Sequence, residues 1–559
     1  MNINEEYNIW LQHTADNQKL HQELVAMQNN KAQIEDAFYC ELAFGTAGLR
    51  GVMGAGTNRM NSYIVARASQ GVANYLKQSQ SQPAVVIGYD SRNNSRKFAE
   101  ITAEVFAANG IKVHIWPELM PVPTVSFATR YVKATAGIMI TASHNPAKYN
   151  GYKVYGADGC QITTEAANSI LAEINKLDIF KDVKKADFQT ALASKQISYI
   201  DDAVYNAFLK EVKQQSVLFG EEVQKDAAIV YTPLNGTGLK PVTQILAEAG
   251  YTNIKIVPEQ ELPDGNFPTC PYPNPELAEA LKLGIEYAKK NNADLLLATD
   301  PDWDRVGIAV RDEHDEYQIL TGNQVGVLLL DYICSQRSKH HQLPEAAVMI
   351  KTVVTTAMAE QIAQSYGVRT INVLTGFKYI GEQIGMLEQK GKAGNYIFGF
   401  EESCGYLSGP YVRDKDGVNA AFLICEMYSY YATQGISILQ KLAELYKKHG
   451  YSINLTCSYE FDGSTGLAKM QQIMNNLRQG VAELAGKKVT SVLDYAGGIN
   501  GLPAENMLQF TLEDNCSVIV RPSGTEPKLK TYIYAIGESK AQAEQIAEDL
   551  IASSKELLK

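Results

Sequence analysis

At 559 residues the chain is long enough for more than three domains of a typical ~150 residues. With 45% apolar and 20% charged residues it is not a disordered chain, and 62 acidic against 51 basic side chains, net −11, argue against a general nucleic-acid binder, whose domains carry a basic face. No apolar run reaches the ~18 to 20 residues of a membrane helix, the acidic start MNINEEYNIWLQ lacks the basic region of a signal peptide, and eight cysteines without a CxxC pair read as reduced thiols of a cytoplasmic protein.

The first 40 or so residues carry a loose helical stripe of Trp10, Leu11, Leu20, Leu24 and Met27. Beyond them, short apolar strands run into polar loops bearing Gly or Pro at 84–92, 136–146, 227–238, 293–305, 347–356 and 395–403. Helical stretches lie between them, for instance 97–109, 275–290 and 416–433. Continuous apolar strands alternating with helices predict α/β layers with largely parallel sheets, whose ligands sit at the carboxyl ends of the strands. The last hundred or so residues differ: a strand at 458–461, a helix at 467–485, strands at 517–524 and 530–537, and a helix from Ser539 predict a smaller α+β domain. The predicted domains are 1–205, 206–320, 321–450 and 451–559. No coiled-coil seam stands out, so a monomer is the default and a dimer the alternative.

The chemistry-bearing residues cluster in the strand-end loops. In Thr141-Ala-Ser-His-Asn-Pro146 the Asn-Pro turn presents Ser143 on a rigid loop, as a nucleophile or carrier of a transferred group, or as a hydroxyl that only satisfies the turn. In Asp300-Pro-Asp-Trp-Asp304-Arg305, three alternate carboxylates suit a hard divalent cation. An EF-hand is excluded, because its Gly and Glu positions fall on Arg305 and Arg311. Three acids leave coordination sites open for a phosphoryl oxygen, which favours catalytic Mg²⁺. Arg521-Pro-Ser-Gly-Thr525-Glu-Pro-Lys528-Leu-Lys530 combines a guanidinium, hydroxyls, a Gly and lysines, a grip for a phosphate that is held and not transferred. Gly399-Phe-Glu401-Glu402-Ser403 and Arg413-Asp-Lys415-Asp-Gly417 offer acceptors suited to sugar hydroxyls, and serve a structural role equally well.

In this order the loops resemble the α-D-phosphohexomutase family over roughly residues 40 to 535. Phe44-Gly-Thr-Ala-Gly-Leu-Arg50-Gly, Gly88-Tyr-Asp-Ser-Arg92, Asn150-Gly-Tyr-Lys153 and Leu374-Thr-Gly-Phe-Lys378 extend the likeness, and Lys351-Thr-Val-Val-Thr-Thr with Gly405-Tyr-Leu is similar to the phosphoglucomutase and phosphopentomutase branch. The resemblance implies four domains around one central cleft: three related α/β units with mixed sheets and a smaller C-terminal α+β domain. It implies a phosphoserine at Ser143, Mg²⁺ on Asp300, Asp302, Asp304 and a Ser143 phosphoryl oxygen, and catalytic roles for Arg50, Lys153 and Lys415. Substrate contacts would come from His144, Arg305, Thr375, Gly376, Lys378, Glu401 and Ser403. Arg521, Ser523, Gly524, Thr525 and Lys530 would hold the distal phosphate.

The implied reaction interconverts glucose 1-phosphate and glucose 6-phosphate through a hexose 1,6-bisphosphate, with mannose and then pentose phosphates as alternative substrates. A Mg²⁺-dependent aspartyl phosphatase using Asp300 and Asp302 is a rival, as is a non-catalytic sugar-phosphate sensor. Two residues depart from the family pattern. Trp303 stands where the metal loop usually has a small residue, which puts the shape of the cleft in question. Tyr406 stands where some relatives place a His, which shifts acid/base work to Lys153 and Lys415.

Overall fold

The computed structural model describes every residue except 1, 47, 462, 500, 523–527 and 559. The chain forms two bodies. The first runs to Leu320 and takes up Gly381–Gly394 and Cys404–Ser429; the second comprises Thr321–Ile380, Asn395–Ser403 and the chain from Tyr430 onward.

The first body opens with three short helices, Ile3–His13, Gln18–Met27 and Lys31–Phe38. Each is started by an Asn (Asn2, Asn17, Asn30) whose side chain accepts from a first-turn N–H. They are too short to persist alone and are fixed by burial. Trp10 is fully buried, with its ring centroid 5.9 Å from that of Phe38, 5.8 Å from Tyr63 and 5.5 Å from Phe180, all edge-on. Trp10→Ala is expected to lower unfolding stability by ~3–5 kcal/mol through the cavity it leaves. An unchanged denaturant midpoint would contradict this account of the helical lead.

The first sheet contains β1 (Leu49–Val52), β2 (Ala84–Tyr89), β3 (Lys112–Ile115), β4 (Ala136–Ile140), β5 (Tyr149–Gly156) and β6 (Ile197–Tyr199), in the order β1-β5-β4-β2-β3-β6. β4, β2, β3 and β6 are parallel, whereas β5 runs antiparallel to both of its neighbours, β4 and the edge strand β1. The second sheet contains β7 (Ile229–Thr232), β8 (Ile254–Ile256), β9 (Leu295–Thr299), β10 (Val306–Arg311) and β11 (Tyr317–Leu320), in the order β11-β10-β9-β7-β8. Only β7, β8 and β9 are parallel. The parallel centres are buried along their whole length, as in AGIMI of β4 and LLLAT of β9, because helices cover both faces.

The antiparallel edge serves the site. β5 returns beside the loop after β4, and a Cβ on its Gly151 would lie 2.4 Å from the Thr141 carbonyl oxygen and 2.8 Å from that of Leu49. Only glycine lets three backbones meet there.

In the second body, β12 (Val348–Thr352), β13 (Arg369–Val373) and β14 (Tyr396–Glu401) follow the order β13-β12-β14, with both pairings parallel. A further short strand, β15 (Gly405–Leu407), belongs to the first body. The C-terminal sheet is antiparallel throughout and ordered β16-β21-β20-β19-β18-β17. Its strands are β16 (Tyr451–Glu460), β17 (Glu483–Leu484), β18 (Lys487–Asp494), β19 (Leu508–Leu512), β20 (Ser517–Pro522) and β21 (Lys528–Gly537). One face packs its apolar residues, among them Phe510, Val518 and Ile533, with Leu550 of the helix Lys540–Leu557.

The expected strand at 458–461 is the end of ten-residue β16, and the expected helix at 467–485 is Gly463–Arg478. Gly480, at φ +122°, ends that helix, and Leu484 belongs to β17 instead of prolonging it. None of the eight cysteines is joined in a disulfide. Among the described residues, no helix is long and apolar enough to cross a membrane.

Candidate active site

Two strand-end loops of the first body meet at their side chains. The loop after β4 carries Ser143, buried and in the left-handed region at φ 51°. The loop after β9 carries Asp300, Asp302 and Asp304, all buried. The Ser143 hydroxyl donates to Asp300 Oδ2 at 2.8 Å and lies 3.1 Å from His144 Nδ1. Asp300 Oδ1 accepts from the N–H groups of Asp304 and Arg305, each at 3.1 Å, which fixes the turn of the acidic loop.

One carboxylate oxygen from each of the three Asp residues lies within 4.8 Å of the others. Lys153 Nζ lies 2.9 Å from Asp302 Oδ2 and 3.4 Å from Asp304 Oδ2; Lys415 Nζ lies 3.2 Å from Asp304 Oδ2 and 3.4 Å from Asp414 Oδ1. Four carboxylates therefore face two ammonium groups. The electrostatics are unbalanced accordingly. Burial, and then the charges of Asp302 and Asp304, push the Asp300 carboxyl well above the ordinary carboxylate range. Burial also pushes Asp302 up, but the ammonium groups of Lys153 and Lys415 reverse this and hold it below that range. Burial and Asp302 raise Asp304 against the pull of Lys415 and Lys153. Among the described residues, Asp302 Oδ1 and Asp304 Oδ1 are buried without a hydrogen-bond partner. Two orphaned acceptors, a carboxyl driven toward its neutral form and an all-oxygen donor set fit a hard divalent cation.

Burial lowers the Lys153 pKa, and the carboxylates of Asp302, Asp304 and Asp414 more than restore it, so it lies above the ordinary lysine value. The lowered pKa that a lysine base needs is thus not found at Lys153. Desolvation, then the cations Arg305, Arg50, Arg92 and Lys153, hold the His144 imidazole well below its usual pKa and so neutral. Arg50 is exposed on β1 and donates to the Asn145 side chain at 3.1 Å, beside Ser143. Arg305 pairs with Glu276.

The string 413–417 supports Lys415 residue by residue. Arg413 is fully buried and pairs with Glu388 at 2.8 Å. Asp414 faces Lys415 and accepts from Tyr155 at 2.9 Å and Gln161 at 3.1 Å. Asp416 starts the helix Gly417–Thr433 by accepting from the N–H groups of Val418 and Asn419, and burial pushes its carboxyl up to about 6. A Cβ on Gly417 would lie 2.9 Å from the Trp303 carbonyl oxygen.

Trp303 itself is fully buried, with φ 60°, and its indole N–H lies where a Cβ on Gly238 would meet it at 2.7 Å. The bulky residue of the metal loop therefore packs under the loop, among Tyr231 and Thr299 at the ends of β7 and β9. Tyr406 is buried as well, and its carbonyl accepts from Asp416 N–H at 3.0 Å.

In the second body β14 ends on Glu401, which is buried and accepts from Gly376 N–H at 2.9 Å. Thr375 and Gly376, the latter at φ 119°, precede the helix bearing Lys378, whose Nζ lies 4.7 Å from the Tyr379 ring centroid. Ser403 lies half-buried two residues beyond Glu401. Arg521 pairs with Glu505 at 2.8 Å and is opposite Lys530 in the β20–β21 register. Ser523, Gly524 and Thr525 lie outside the described residues.

The sequence reading missed Asp90, Arg92 and Thr141 as members of the site. The Thr141 hydroxyl donates to Asp90 Oδ2 at 2.6 Å and accepts from Ser143 N–H at 2.8 Å, while Arg92 donates to main-chain carbonyls of the Ser143 loop. Gly88-Tyr-Asp-Ser-Arg92 was visible as a string, but a guanidinium's carbonyl partners leave no side-chain signature.

Models of four consecutive domains match the chain: phosphoglucomutase/phosphomannomutase α/β/α domains I, II and III over residues 41–180, 206–313 and 321–449, and the C-terminal domain of the same family over 464–553. A phosphoglucomutase of Staphylococcus saprophyticus is 36% identical over 539 residues, covering 94% of this chain and 95% of its own. One from Staphylococcus haemolyticus is 35% identical over 511 residues, covering 89% of this chain and 91% of its own. Among solved structures, parafusin (phosphoglucomutase) of Paramecium in its open form superposes with TM-score 0.71 at 18% identity, covering 93% of this chain and 95% of its own. A phosphomannomutase structure from Thermus thermophilus gives 0.70 at 21%, covering 93% and 99%. Fold and sequence together define a sugar-phosphate mutase of the isomerase class. The chain belongs to the phosphoglucomutase/phosphomannomutase family of α-D-phosphohexomutases.

Proposed function

We propose that this enzyme interconverts glucose 1-phosphate and glucose 6-phosphate in the cytoplasm, storing the transferred phosphoryl group on Ser143. The observation that carries the reading is the Ser143 hydroxyl 2.8 Å from Asp300 Oδ2, at the edge of the acid triad. Asp300, Asp302 and Asp304 would hold Mg²⁺. When bound it would offset the charge on the phosphoryl oxygens.

The protein's own groups position reactants and move protons, as phosphoryl transfer requires. O6 of glucose 1-phosphate attacks the phosphorus of phospho-Ser143, and the bond from phosphorus to Ser143 Oγ breaks. Lys153, kept protonated by its acids, gives its proton to Oγ and takes up the proton of O6 in exchange, while the Lys415 ammonium beside Asp304 offsets the charge on the phosphoryl group. Glucose 1,6-bisphosphate is the intermediate. After it turns over, the O1 phosphoryl group passes to Oγ. Lys153 gives a proton to O1 and recovers the proton of Oγ. Arg50 and His144 flank the serine, and Arg305 contacts the substrate beside the triad. Thr375, Gly376, Lys378, Glu401 and Ser403 bind the sugar, while Arg521, Ser523, Gly524, Thr525 and Lys530 hold the phosphate that is not transferred.

Similarity to curated phosphoglucomutases supports glucose as the sugar. Comparing kcat/KM for the 1-phosphates of glucose, mannose and ribose tests it. Glucose 1-phosphate is expected to be highest, since epimers differ by the few hydrogen bonds a sugar loop makes. A higher value for mannose or ribose would overturn the assignment of the sugar.

A further inference from the structure

We propose that Arg92 is a positioning residue for phosphoryl transfer, its buried guanidinium fixing the backbone of the Ser143 loop by holding four carbonyls at once. This rests on the reading of Ser143 as the phosphoryl carrier. Arg92 is 3% exposed. Its Nη1 donates to the carbonyls of Pro146 at 3.0 Å and Tyr149 at 3.1 Å, and its Nη2 to those of Ser143 and Asn145. Nε lies 3.3 Å from Asp90 Oδ2, the same oxygen that accepts from Thr141.

One face of the guanidinium is covered by the buried ring of Phe267, whose centroid is 5.0 Å from Cζ. Phe267 comes from the segment between β8 and β9. In that segment Gly265 passes so close that a Cβ would lie 2.4 Å from Asn93 N. Arg92 thus ties the module of the acidic loop to the loop that carries Ser143. A planar fork with five donors can serve carbonyls on both nitrogens while its edge meets a carboxylate; a lysine ammonium is a single point and cannot.

The clamp has something to hold. Ser143 sits in left-handed backbone, which persists only where the surroundings over-determine it. In-line transfer tolerates little displacement of the attacked atom, and about 1 Å can cost about 100-fold in rate. Loss of the clamp is therefore read in kcat, with KM set by groups elsewhere.

Arg92→Lys and Arg92→Ala are assayed against wild type for kcat, KM and thermal midpoint, the alanine variant also with low concentrations of guanidinium chloride. In Arg92→Ala, kcat is expected to fall about 100-fold at unchanged KM and to recover in part with guanidinium. Arg92→Lys, which keeps a buried cation beside Asp90, is expected to hold the midpoint without restoring kcat. A wild-type kcat in Arg92→Lys overturns the proposal. So does a loss in Arg92→Ala that follows the folded fraction and ignores guanidinium. Phosphopeptide mapping of the wild-type enzyme separates this from failure of the underlying reading. An unphosphorylated Ser143 during turnover removes the carrier itself; a phosphorylated one with a normal Arg92→Lys removes only the clamp.

Discussion

Ser143→Ala is expected to lower mutase turnover by at least about 1,000-fold while leaving sugar-phosphate affinity largely intact. The substitution removes one atom, Oγ, whose polar contacts among the described residues are Asp300 Oδ2 and His144 Nδ1. The main chain that sets the loop is held separately, by Thr141 through the Ser143 N–H and by Arg92 through the carbonyls. The loop therefore survives the change, and what is lost is the acceptor of the phosphoryl group. Without it the two half-reactions have no shared intermediate, and general electrostatic stabilisation by the remaining groups accounts for any residual rate. Turnover like that of wild type would show that the phosphoryl group travels by another residue.

Asp302→Asn is expected to be nearly as damaging, for a different reason. Asp302 is the acid of the triad held below the ordinary carboxylate range, because Lys153, a hydrogen bond with Asp300 and Lys415 overcome the cost of its burial. Among the described residues its Oδ1 has no hydrogen-bond partner, which leaves it available to a cation. Neutralising it weakens the cation site and leaves Lys153 with Asp304 as its remaining ion-pair partner at the triad. The cation is expected to contribute about 4 kcal/mol to the transition state, or about 1,000-fold in rate. A readout independent of activity is available. Mg²⁺ at about 100 times its dissociation constant is expected to stabilise the wild-type fold by ~2.7 kcal/mol, and this thermal shift should vanish in Asp302→Asn. An equal shift in both proteins would place the cation elsewhere.

The sequence carried the site further than it carried the edges of the fold. The loops around Ser143 and Asp300 are readable because each follows a strand, β4 or β9, that is apolar and buried on both faces, so that its end is marked by the first polar residues. The resemblance of four loops in order named the family that the domain matches then established. Strands β17 and β18 were not legible. β18 is mostly exposed and offers no apolar alternation to recognise. The terminal helix was foreseen from Ser539, which caps it by accepting from Gln542 N–H.

Within the site, charges were easier to find than their supports. Asp414 could be quoted as part of a string, but its partners Tyr155 and Gln161 belong to the strand and turn after the serine loop, and only folding brings them together. The same holds for the protonation of Lys153. A lysine near a cation would have its pKa depressed, whereas the carboxylates of Asp302, Asp304 and Asp414 overcome the effect of burial and raise that of Lys153.

The aspartyl-phosphatase alternative makes a different claim about which oxygen is esterified. The most direct test incubates the enzyme with labelled glucose 1,6-bisphosphate, maps the labelled peptide by mass spectrometry, and chases with unlabelled glucose 1-phosphate. The account predicts one phosphoryl group on the peptide carrying Ser143, stable to hydroxylamine and removed by the chase. Label on Asp300 or Asp302, or turnover with Ser143 unlabelled, would contradict it.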